Sequence, residues 1–353
     1  MNGTTRRDGR VLPALPYCVM ALVASVELGT PAGFGLLPLM SLGPAFAGLV
    51  GSKRRTARIG ALAVLLCVLL AASEGELGKR RVYIAAASVA GVTAAGLLAV
   101  ASRERRDAEL ASVRSIAEVA QRVLLRPVPR VAGELRVAVS YTSAVAQARI
   151  GGDLYEVVVA AGATRALIGD VQGKGLEAVE TAALVLGAFR EAAHDEPELA
   201  GLGRRLARAV DRELDGERFV SALLVEVPAG GRHVTFLNFG HPAPLIVRAD
   251  GSTLFPEPPA YALPLGIGVQ GGEQPAPYSV DFAPGDQILL YTDGVSEARD
   301  GAGDFYPLAD RVALLKDPDA EAAIERLRTD LVDHAKGPLR DDAAMLLLRH
   351  REG

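Results

Sequence analysis

Apolar residues dominate the first hundred positions of the chain and then give way to a mixed pattern. Four apolar runs cover roughly residues 11–29, 33–51, 58–73 and 82–101. A helix needs ~20 consecutive apolar residues to cross a bilayer, and several of these runs approach that length. The pattern predicts an all-α membrane region with about four transmembrane helices over residues 1–102; three spans, with an altered first segment, is the alternative.

A different pattern occupies residues 103–129. Apolar side chains recur there at three- and four-residue steps, at Leu110, Val113, Ile116, Ala117, Ala120, Val123 and Leu124. This spacing predicts an amphipathic helix, and Pro127 and Pro129 mark its end. Two interpretations of its apolar stripe are equally open. The stripe packs on the following domain, or it forms a parallel homodimer that carries signals from the membrane region.

The remaining residues, 130–353, read as short apolar strands interrupted by helices. We expect strands at Leu135–Tyr141, Leu154–Ala160, Thr164–Ile168, Phe219–Val227, His233–Asn238, Pro244–Arg248, Gln287–Tyr291 and Ala343–Arg349. Helices are expected at 176–194, 198–214, 307–315 and 318–335. Consecutive strands broken by paired helices indicate an α+β layered fold.

Charge separates the two halves of the chain. Residues 1–101 hold ten Lys and Arg against four Asp and Glu, whereas the rest holds 28 against 38. A basic apolar half joined to an acidic half predicts a membrane part and a soluble part. The acidic balance, and the lack of a basic stretch interleaved with aromatic residues, argue against nucleic acid as a partner.

Basic clusters suggest how the membrane region is oriented. Arginines 6, 7 and 10 precede the first apolar run, the cluster 53–58 separates the second from the third, and 103–106 follows the fourth. Because positive charge favours the cytoplasmic side, four spans with both ends inside fit these clusters. The cluster Lys79-Arg80-Arg81 would then lie outside, against the rule.

Four aspartates stand at the ends of expected strands or in tight turns. They are Asp153, Asp170, Asp293 and Asp341. Taken alone, Asp170 would be read as a helix cap or turn carboxylate. If the strands converge, however, four carboxylates repel one another unless a hard divalent cation lies between them. Such an ion makes its bound water acidic and supplies hydroxide at neutral pH. The set therefore indicates metal-assisted hydrolysis.

Five segments between Arg130 and Arg349 carry a family resemblance. They are Gly151–Glu156, Gly169–Gly175, Asn238–Pro242, Gly285–Glu297 and Asp341-Asp342. In this order and at this spacing they resemble the metal-dependent (PPM-type) protein serine/threonine phosphatases, in their bacterial SpoIIE-like branch. The resemblance implies a sandwich of two antiparallel sheets with helices outside both.

The resemblance also implies a site and a substrate. Two ions, Mn²⁺ or Mg²⁺, would be held by Asp153, Asp170, Asp293 and Asp341 and by the carbonyl of Val171. They would activate a water for in-line attack on phosphorus. The expected substrate is phosphoserine or phosphothreonine on a cytoplasmic regulatory protein, an anti-sigma-factor antagonist. The protein would be a multi-pass cell-membrane protein with its phosphatase domain in the cytoplasm.

Several positions depart from the family pattern. Glu156 stands where an aspartate is usual, and Gln172 stands where eukaryotic relatives have a histidine that can act as general acid. Asp342 is the less expected ligand of its pair, because alternation along the strand would turn it away from Asp341. We interpret His241 as structural and Lys174 as a solvated turn residue.

Two other interpretations compete with a phosphatase. Gly-Gly-Asp also opens the motif of diguanylate cyclases, but that motif continues with Glu-Phe where this chain has Leu154-Tyr155. The more serious alternative is a catalytically weak or inactive phosphatase-like domain that serves as a membrane-tethered partner-binding module. Carboxylates at all four expected ligand positions favour the enzyme.

Overall fold

The computed structural model describes residues 8–29, 35–73, 75–143, 151–160, 162–214, 218–267 and 274–351. Arg6, Arg7 and Glu74, which entered the topology prediction, lie outside the described residues. The chain divides into two units, Met1–Ala111 and Ser112–Gly353, and each is described by itself.

The N-terminal unit is helical. Helix α1 covers Asp8–Gly29, a 3-10 turn at Leu37–Ser41 leads into α2 at Leu42–Val50, α3 covers Lys53–Ser73, and α4 covers Arg80–Leu124. Met20, Met40 and Ile59 are buried among the first three helical segments. The amphipathic stretch expected as a separate helix is the C-terminal part of α4, because no Gly or Pro interrupts the chain between the apolar run and Leu124.

Two helical stretches of this unit are long and apolar enough to cross a bilayer, Lys53–Ser73 and Arg80–Ser112. The first two apolar runs give the shorter apolar stretches Ala14–Gly29 and Leu37–Val50. The run at 33–51 is shortened because its helical part begins only after Gly35, which adopts a positive φ of 78°. Length and composition of this kind also occur in core helices of soluble proteins.

The C-terminal unit is built on two antiparallel sheets. The six-stranded sheet has the order β1 (Val131–Ala132), β2 (Leu135–Thr142), β11 (Ala343–His350), β10 (Gln287–Tyr291), β7 (Leu245–Val247) and β8 (Thr253–Leu254). The five-stranded sheet has the order β3 (Asp153–Ala160), β4 (Ala163–Val171), β5 (Val220–Pro228), β6 (His233–Phe239) and β9 (Tyr278–Asp281).

Helices cover the outer faces of both sheets. Helices α5 (Leu176–Asp195) and α6 (Leu199–Glu213) pack on the five-stranded sheet. Helix α8 (Ala320–Ala335) and a 3-10 helix at Leu308–Lys316 pack on the six-stranded sheet. This arrangement confirms the predicted α+β sandwich.

Strand alternation explains the layers. In β3, Leu154 is buried against the helices α5 and α6, whereas Tyr155 and Val157 are buried between the sheets. Successive side chains of a strand point to opposite faces, so a strand with both faces covered is apolar throughout. Apolar material therefore forms three layers, one between the sheets and one under each pair of helices.

The expected strands all form, with shifted ends. Strand β3 begins at Asp153, and β4 continues through Asp170 to Val171. The two aspartates therefore lie inside strands and not beyond them, because β4 stays paired with β5 as far as Val171 and Val220. Strands β1, β8 and β9, and a four-residue helix α7 at Asp293–Ser296, were not predicted.

Candidate metal centre at one end of the sandwich

The register of β3 and β4 brings the first two aspartates together. Asp153 and Asp170 are direct cross-strand partners in this antiparallel pair. Side chains directly opposite in such a pair lie on the same face, and like charges there destabilise the sheet. Asp153 is only 2% exposed. The fold thus forces two carboxyl groups into contact range in a buried position.

Thr292 connects this pair to the other sheet. Its hydroxyl donates to Asp153 Oδ2 at 2.9 Å and accepts from the backbone N–H of Ala344 at 3.0 Å. Its own N–H donates to the Ala344 carbonyl at 3.1 Å. Thr292 is fully buried at the end of β10. No local sequence pattern indicated a role for Thr292, because its partners Asp153 and Ala344 lie 139 and 52 residues away in the chain.

Asp293 follows Thr292 directly and begins α7. At the next position, a Cβ built on Gly294 would lie 1.8 Å from the carbonyl oxygen of Asp342. Only glycine permits this approach between the end of β10 and the segment before β11. The contact brings Asp293 close to Asp341, and the pKa of Asp293 is raised by burial and then by Asp341.

Asp341 is the most exposed of the four aspartates and forms an ion pair with a lysine. Its side chain is 53% exposed, and its Oδ1 lies 2.6 Å from Lys174 Nζ. Lys174 stands in a turn whose flanking glycines, Gly173 and Gly175, adopt φ values of 98° and 92°. The turn therefore directs an ammonium group into the carboxylate cluster, so Lys174 is not the freely solvated residue that we expected.

Burial and mutual repulsion govern the electrostatics of the cluster. The pKa of Asp170 is raised to about 7 by burial, then by Asp293 and Asp341, with Lys174 opposing. The pKa of Asp153 is raised by burial and then by Asp170, and its hydrogen bond from Thr292 opposes the rise. Carboxylates in this state favour whatever positive charge comes between them, a proton or a cation.

Asp342 contributes to the same cluster. Alternation holds, since Asp342 is buried while Asp341 is half exposed. Asp342 nevertheless lies near the other carboxylates. Its carboxylate raises the pKa of both Asp153 and Asp170. A Cβ on Gly151 would lie 2.4 Å from Asp342 Oδ2, which shows how closely the chain packs around it.

The donor set fits a hard divalent cation. All candidate ligands are carboxylate or carbonyl oxygens, which Mg²⁺ and Mn²⁺ prefer. At Gly152, an added Cβ would lie 2.3 Å from the Val171 carbonyl oxygen and 2.7 Å from Asp170 Oδ1. The missing side chain thus leaves these two oxygens accessible side by side.

The side chains are not yet arranged as a closed ligand set. Within the described ranges, no three His, Cys, Asp or Glu side chains are close enough together to hold an ion as they stand. Asp341 is held by Lys174. Binding of an ion would therefore require side-chain rotation and the release of Asp341 from Lys174.

The two residues that depart from the family pattern, Glu156 and Gln172, do not join the aspartate cluster. Glu156 forms an ion pair with Arg190 on the helix-covered side of β3, so it does not join the aspartates. Gln172 is exposed, and its backbone N–H donates to the Phe219 carbonyl at 2.9 Å. Neither position supplies a proton donor to the carboxylates.

His241 has a structural role, as we expected. Its Nδ1 lies 2.9 Å from Ser221 Oγ, and Asn238 bonds both its backbone N–H and its carbonyl. Burial lowers the pKa of His241 to about 3, so the ring is neutral at physiological pH. The motif Asn238–Pro242 fixes a chain reversal beside β5.

The end of α4 touches the same region of the domain. The side-chain amide of Gln121 donates to the Gly151 carbonyl and to the Tyr141 hydroxyl, each at 3.1 Å. Arg190 donates to the Leu124 carbonyl at 2.7 Å. Sequence reasoning missed Gln121, because a polar residue in an amphipathic helix carries no signal of a specific partner.

The two antiparallel sheets with their flanking helices form the PP2C-like α+β fold, and the carboxylate cluster at one end has the oxygen donors that suit divalent cations. The sequence model of the Stage II sporulation protein E (SpoIIE) family matches residues 160–351, more than half of the chain. The chain belongs to this family.

A curated relative supports this assignment. Phosphoserine phosphatase RsbU of Bacillus subtilis (strain 168) is 25% identical over 210 residues, which is 58% of this chain and 60% of that protein. The chain therefore matches less than two thirds of the length of this relative.

Solved structures show the same fold. The RsbU and RsbW domains of Rv1364c from Mycobacterium tuberculosis share 25% identity at a TM-score of 0.51, covering 63% of this chain and 61% of theirs. The SiaA-PP2C domain of Pseudomonas aeruginosa gives 20% identity and a TM-score of 0.58, with 71% and 99% coverage. The structure of SpoIIE from Bacillus subtilis shares 16% identity at a TM-score of 0.55, and the match covers 62% of this chain and 64% of that one. The last two likenesses concern the fold alone.

The raised pKa of Asp170 generates a prediction about stability. In the folded chain Asp170 becomes protonated as the pH falls below about 7, because its pKa is raised. In the unfolded chain the same carboxyl group stays ionised until the pH reaches the ordinary carboxyl range. Stability of the metal-free protein should therefore rise as pH falls from about 7 toward about 4. Asp170→Asn removes this repulsion, so in EDTA it should be more stable than wild type at pH 8, on the order of 2 kcal/mol, and this advantage should shrink as pH falls.

Thermal unfolding of both proteins across this pH range measures the effect. Adding Mn²⁺ should raise the unfolding midpoint of wild type and not that of Asp170→Asn. Asp310→Asn, at an exposed position in the 3-10 helix Leu308–Lys316, is the matched control. An advantage of Asp170→Asn that stays constant with pH would contradict the electrostatic explanation.

Proposed function

We propose that this chain is a membrane-anchored protein serine/threonine phosphatase that uses two divalent ions, Mn²⁺ or Mg²⁺, to hydrolyse phosphoserine and phosphothreonine. One observation carries the proposal: carboxyl groups that are far apart in sequence meet at one end of the sandwich, where the pKa values of Asp153, Asp170 and Asp293 are raised by burial and by neighbouring carboxylates, including Asp341. Family membership supports the same activity.

The residues of the cluster have distinct roles in this proposal. Asp153, Asp170, Asp293, Asp341 and the Val171 carbonyl would hold the ions. When bound, the ions would neutralise the phosphate and make a water sufficiently acidic to act as the nucleophile. Thr292 fixes the rotamer of Asp153 through its hydrogen bond.

Lys174 and Gln172 define what the chain supplies besides ligands. Once Asp341 is released, the ammonium of Lys174 is free to attract a phosphate at the edge of the cluster. Gln172 has no proton to give to a leaving serine or threonine oxygen. That proton would therefore come from water, which reaches the site because Gln172 and Asp341 are exposed.

The proposed substrate is a phosphorylated regulatory protein of the cytoplasm, an anti-sigma-factor antagonist. Support comes from the family, and from the curated relative RsbU, whose name describes a phosphoserine phosphatase. A cytoplasmic substrate requires the phosphatase domain on the cytoplasmic side.

Membrane anchoring is part of the proposal. It is supported by the helices Lys53–Ser73 and Arg80–Ser112, which have mean hydropathies of 2.1 and 2.0 over their most apolar windows. The basic clusters flanking the apolar runs favour cytoplasmic ends. We divide the chain into a membrane region at 1–102, a linker helix at 103–129 and a phosphatase domain at 130–353.

The linker helix would serve two purposes. Leu124 and Leu125 pack against the apolar core of the C-terminal unit, which supports docking of its last turn. Leu110, Val119 and Val123 are exposed. This exposed part of the stripe is available for a parallel homodimer, which would transmit signals from the membrane region.

We predict metal-dependent hydrolysis of p-nitrophenyl phosphate by the full chain in uncharged detergent. Activity should require Mn²⁺ or Mg²⁺ and disappear in excess EDTA. Asp293→Asn should lower kcat by at least about 100-fold, since a ligand that acts mainly through the transition state costs several kcal/mol when lost.

The matched control is Asp310→Asn, which removes one exposed carboxylate and should keep the wild-type rate. Full activity in EDTA would refute metal catalysis. No hydrolysis, together with normal stabilisation by Mn²⁺, would favour the partner-binding module instead.

The substrate prediction is tested in cells of the source organism. Phosphoproteomes of cells that produce the wild-type chain or Asp293→Asn should differ in phosphoserine or phosphothreonine on a cytoplasmic regulatory protein, with higher occupancy in the variant. Asp310→Asn cells should match wild type. Accumulation of small phosphorylated metabolites alone, with unchanged phosphoproteins, would count against a protein substrate.

The topology prediction uses reporter fusions. A reporter after Gly353 should report the cytoplasm, and one inserted between Glu74 and Gly78 should report the outside. An insertion after Ser52, beside the basic cluster Lys53-Arg54-Arg55, is the control and should report the cytoplasm. An external C-terminus would overturn the topology and with it a cytoplasmic substrate.

A further inference from the structure

A second charged region lies at the opposite end of the sandwich from the aspartates. Strand β11 begins next to Asp342 and ends at His350, and from Asp341 to Arg349 an extended chain covers about 27 Å. At this far end, an open cavity of about 1110 Å³ lies between the ends of the six-stranded sheet and the loops Gly230–Arg232 and Pro284–Gly285. Small-molecule sites commonly have a volume of this order.

The cavity is strongly positive although the C-terminal domain is acidic. Five cations line it, at Arg136, Arg232, Lys316, Arg349 and Arg351, against the single carboxylate of Glu134. In the part of the chain that the structure describes, none of these five cations forms an ion pair. Glu134 accepts from the backbone N–H of Gly230, another residue of the lining, at 3.2 Å.

Arg349 shows that the fold holds this charge in place. Its guanidinium donates to Gln287 Oε1 at 3.1 and 3.0 Å, to the Pro318 carbonyl at 2.8 Å and to the Leu315 carbonyl at 3.0 Å. All of these acceptors are uncharged, and the nearby carboxylates of Asp317 and Asp319 favour the charged form of Arg349 without forming an ion pair with it in the described structure. Four of its five N–H groups are occupied, so Arg349 would offer a ligand its charge and one remaining N–H.

Arg136 adds a second charge directly beside it. Arg136 and Arg349 are cross-strand partners in β2 and β11. Like charges directly opposite destabilise a sheet, and the pKa of Arg349 is lowered by burial and then by Arg136. An anion bound between them would turn this repulsion into attraction.

His350 provides a buried polar group at the same place. It is 6% exposed, and its ring packs on Phe282 at a centroid distance of 5.4 Å. Its Nδ1 lies 3.2 Å from the Arg351 carbonyl. Among the described residues, His350 Nε2 has no hydrogen-bond partner, and the Glu134 carboxylate is 3.9 Å away. In its protonated form this nitrogen would donate to an anion in the cavity.

We propose that this cavity binds a ligand that carries two or more phosphate groups, separate from the phosphoester that the aspartate cluster would hydrolyse. A single phosphate would leave most of the five cations unpaired, whereas a polyphosphate matches their number. Arginines bind phosphate oxygens through paired N–H donors. Such a ligand has two sources, a soluble polyphosphate or the head group of a phosphorylated lipid.

Calorimetric titration of the full chain in uncharged detergent tests the proposal. EDTA is present throughout, so that divalent ions do not contribute to binding. The probes are inorganic tripolyphosphate and a short-chain phosphatidylinositol bisphosphate. Saturable binding of either supports the shared chemistry, and the tighter probe identifies the source. No heat from either probe at millimolar concentration would overturn the proposal.

Paired variants locate the binding. Arg136→Ser with Arg232→Ser removes two exposed cations from the cavity and should weaken binding at least about tenfold, because each lost contact to a phosphate is charge-assisted. Arg204→Ser with Arg208→Ser removes two exposed cations from α6 and should change binding by less than about twofold.

Further controls distinguish loss of the binding site from misfolding and from a change in net charge. Lys316→Ser with Arg351→Ser repeats the test at two other cavity positions, and circular dichroism confirms that every variant is folded. Equal weakening by the α6 pair and the cavity pairs would show that net charge alone governs binding, and would overturn the proposed site. Hydrolysis by the aspartate cluster is not needed for any of these measurements.

Discussion

The repulsion between carboxylates at one end of the sandwich is the constraint on which the C-terminal unit depends. Asp153 and Asp170 are locked opposite each other by eight paired positions of β3 and β4, so neither can withdraw without disrupting the sheet. The burial of both faces of each sheet in three apolar layers offsets the free energy that this repulsion costs. A rigid sandwich can thus hold charges together that would separate in a flexible loop.

Local contacts moderate this repulsion without removing it. Thr292 donates to Asp153, and Lys174 pairs with Asp341. Glycines at 151, 152 and 294 let the backbone segments approach closely enough for these contacts to form. In this arrangement a divalent cation could replace Lys174 beside Asp341 and relieve the repulsion that remains between the carboxylates. The same cluster explains the raised pKa of Asp170 and has the oxygen donors that a divalent ion prefers.

The two ends of the sandwich carry opposite charge. Carboxylates gather where β11 begins, and arginines gather where it ends. Each end holds like charges at directly opposed register positions, Asp153 with Asp170 and Arg136 with Arg349. Both pairs are costly unless an ion of opposite sign is bound. The end of α4 adds a third feature, because Gln121 contacts Gly151 beside the carboxylates.

The sequence by itself determined the class of fold and singled out four aspartates as candidate metal ligands. Period-two apolar strands and apolar helices are local patterns, and Asp153, Asp170, Asp293 and Asp341 stand at their boundaries. The likeness of five ordered segments to a known family added the expected ligand set. The assignment of His241 to a structural role also followed from its motif, and the structure agrees.

Tertiary structure alone decided which side chains meet. The partners of Thr292, Lys174 and Glu156 lie 34 to 167 residues away, and nothing local encodes those distances. Alternation separated Asp342 from Asp341, but alternation gives the face of a strand and not what covers that face. The cationic cavity was missed for the same reason: its arginines are scattered in sequence and converge only through the register of β2 with β11. Long-range pairing fixes such sites, since sequence periodicity describes one element at a time.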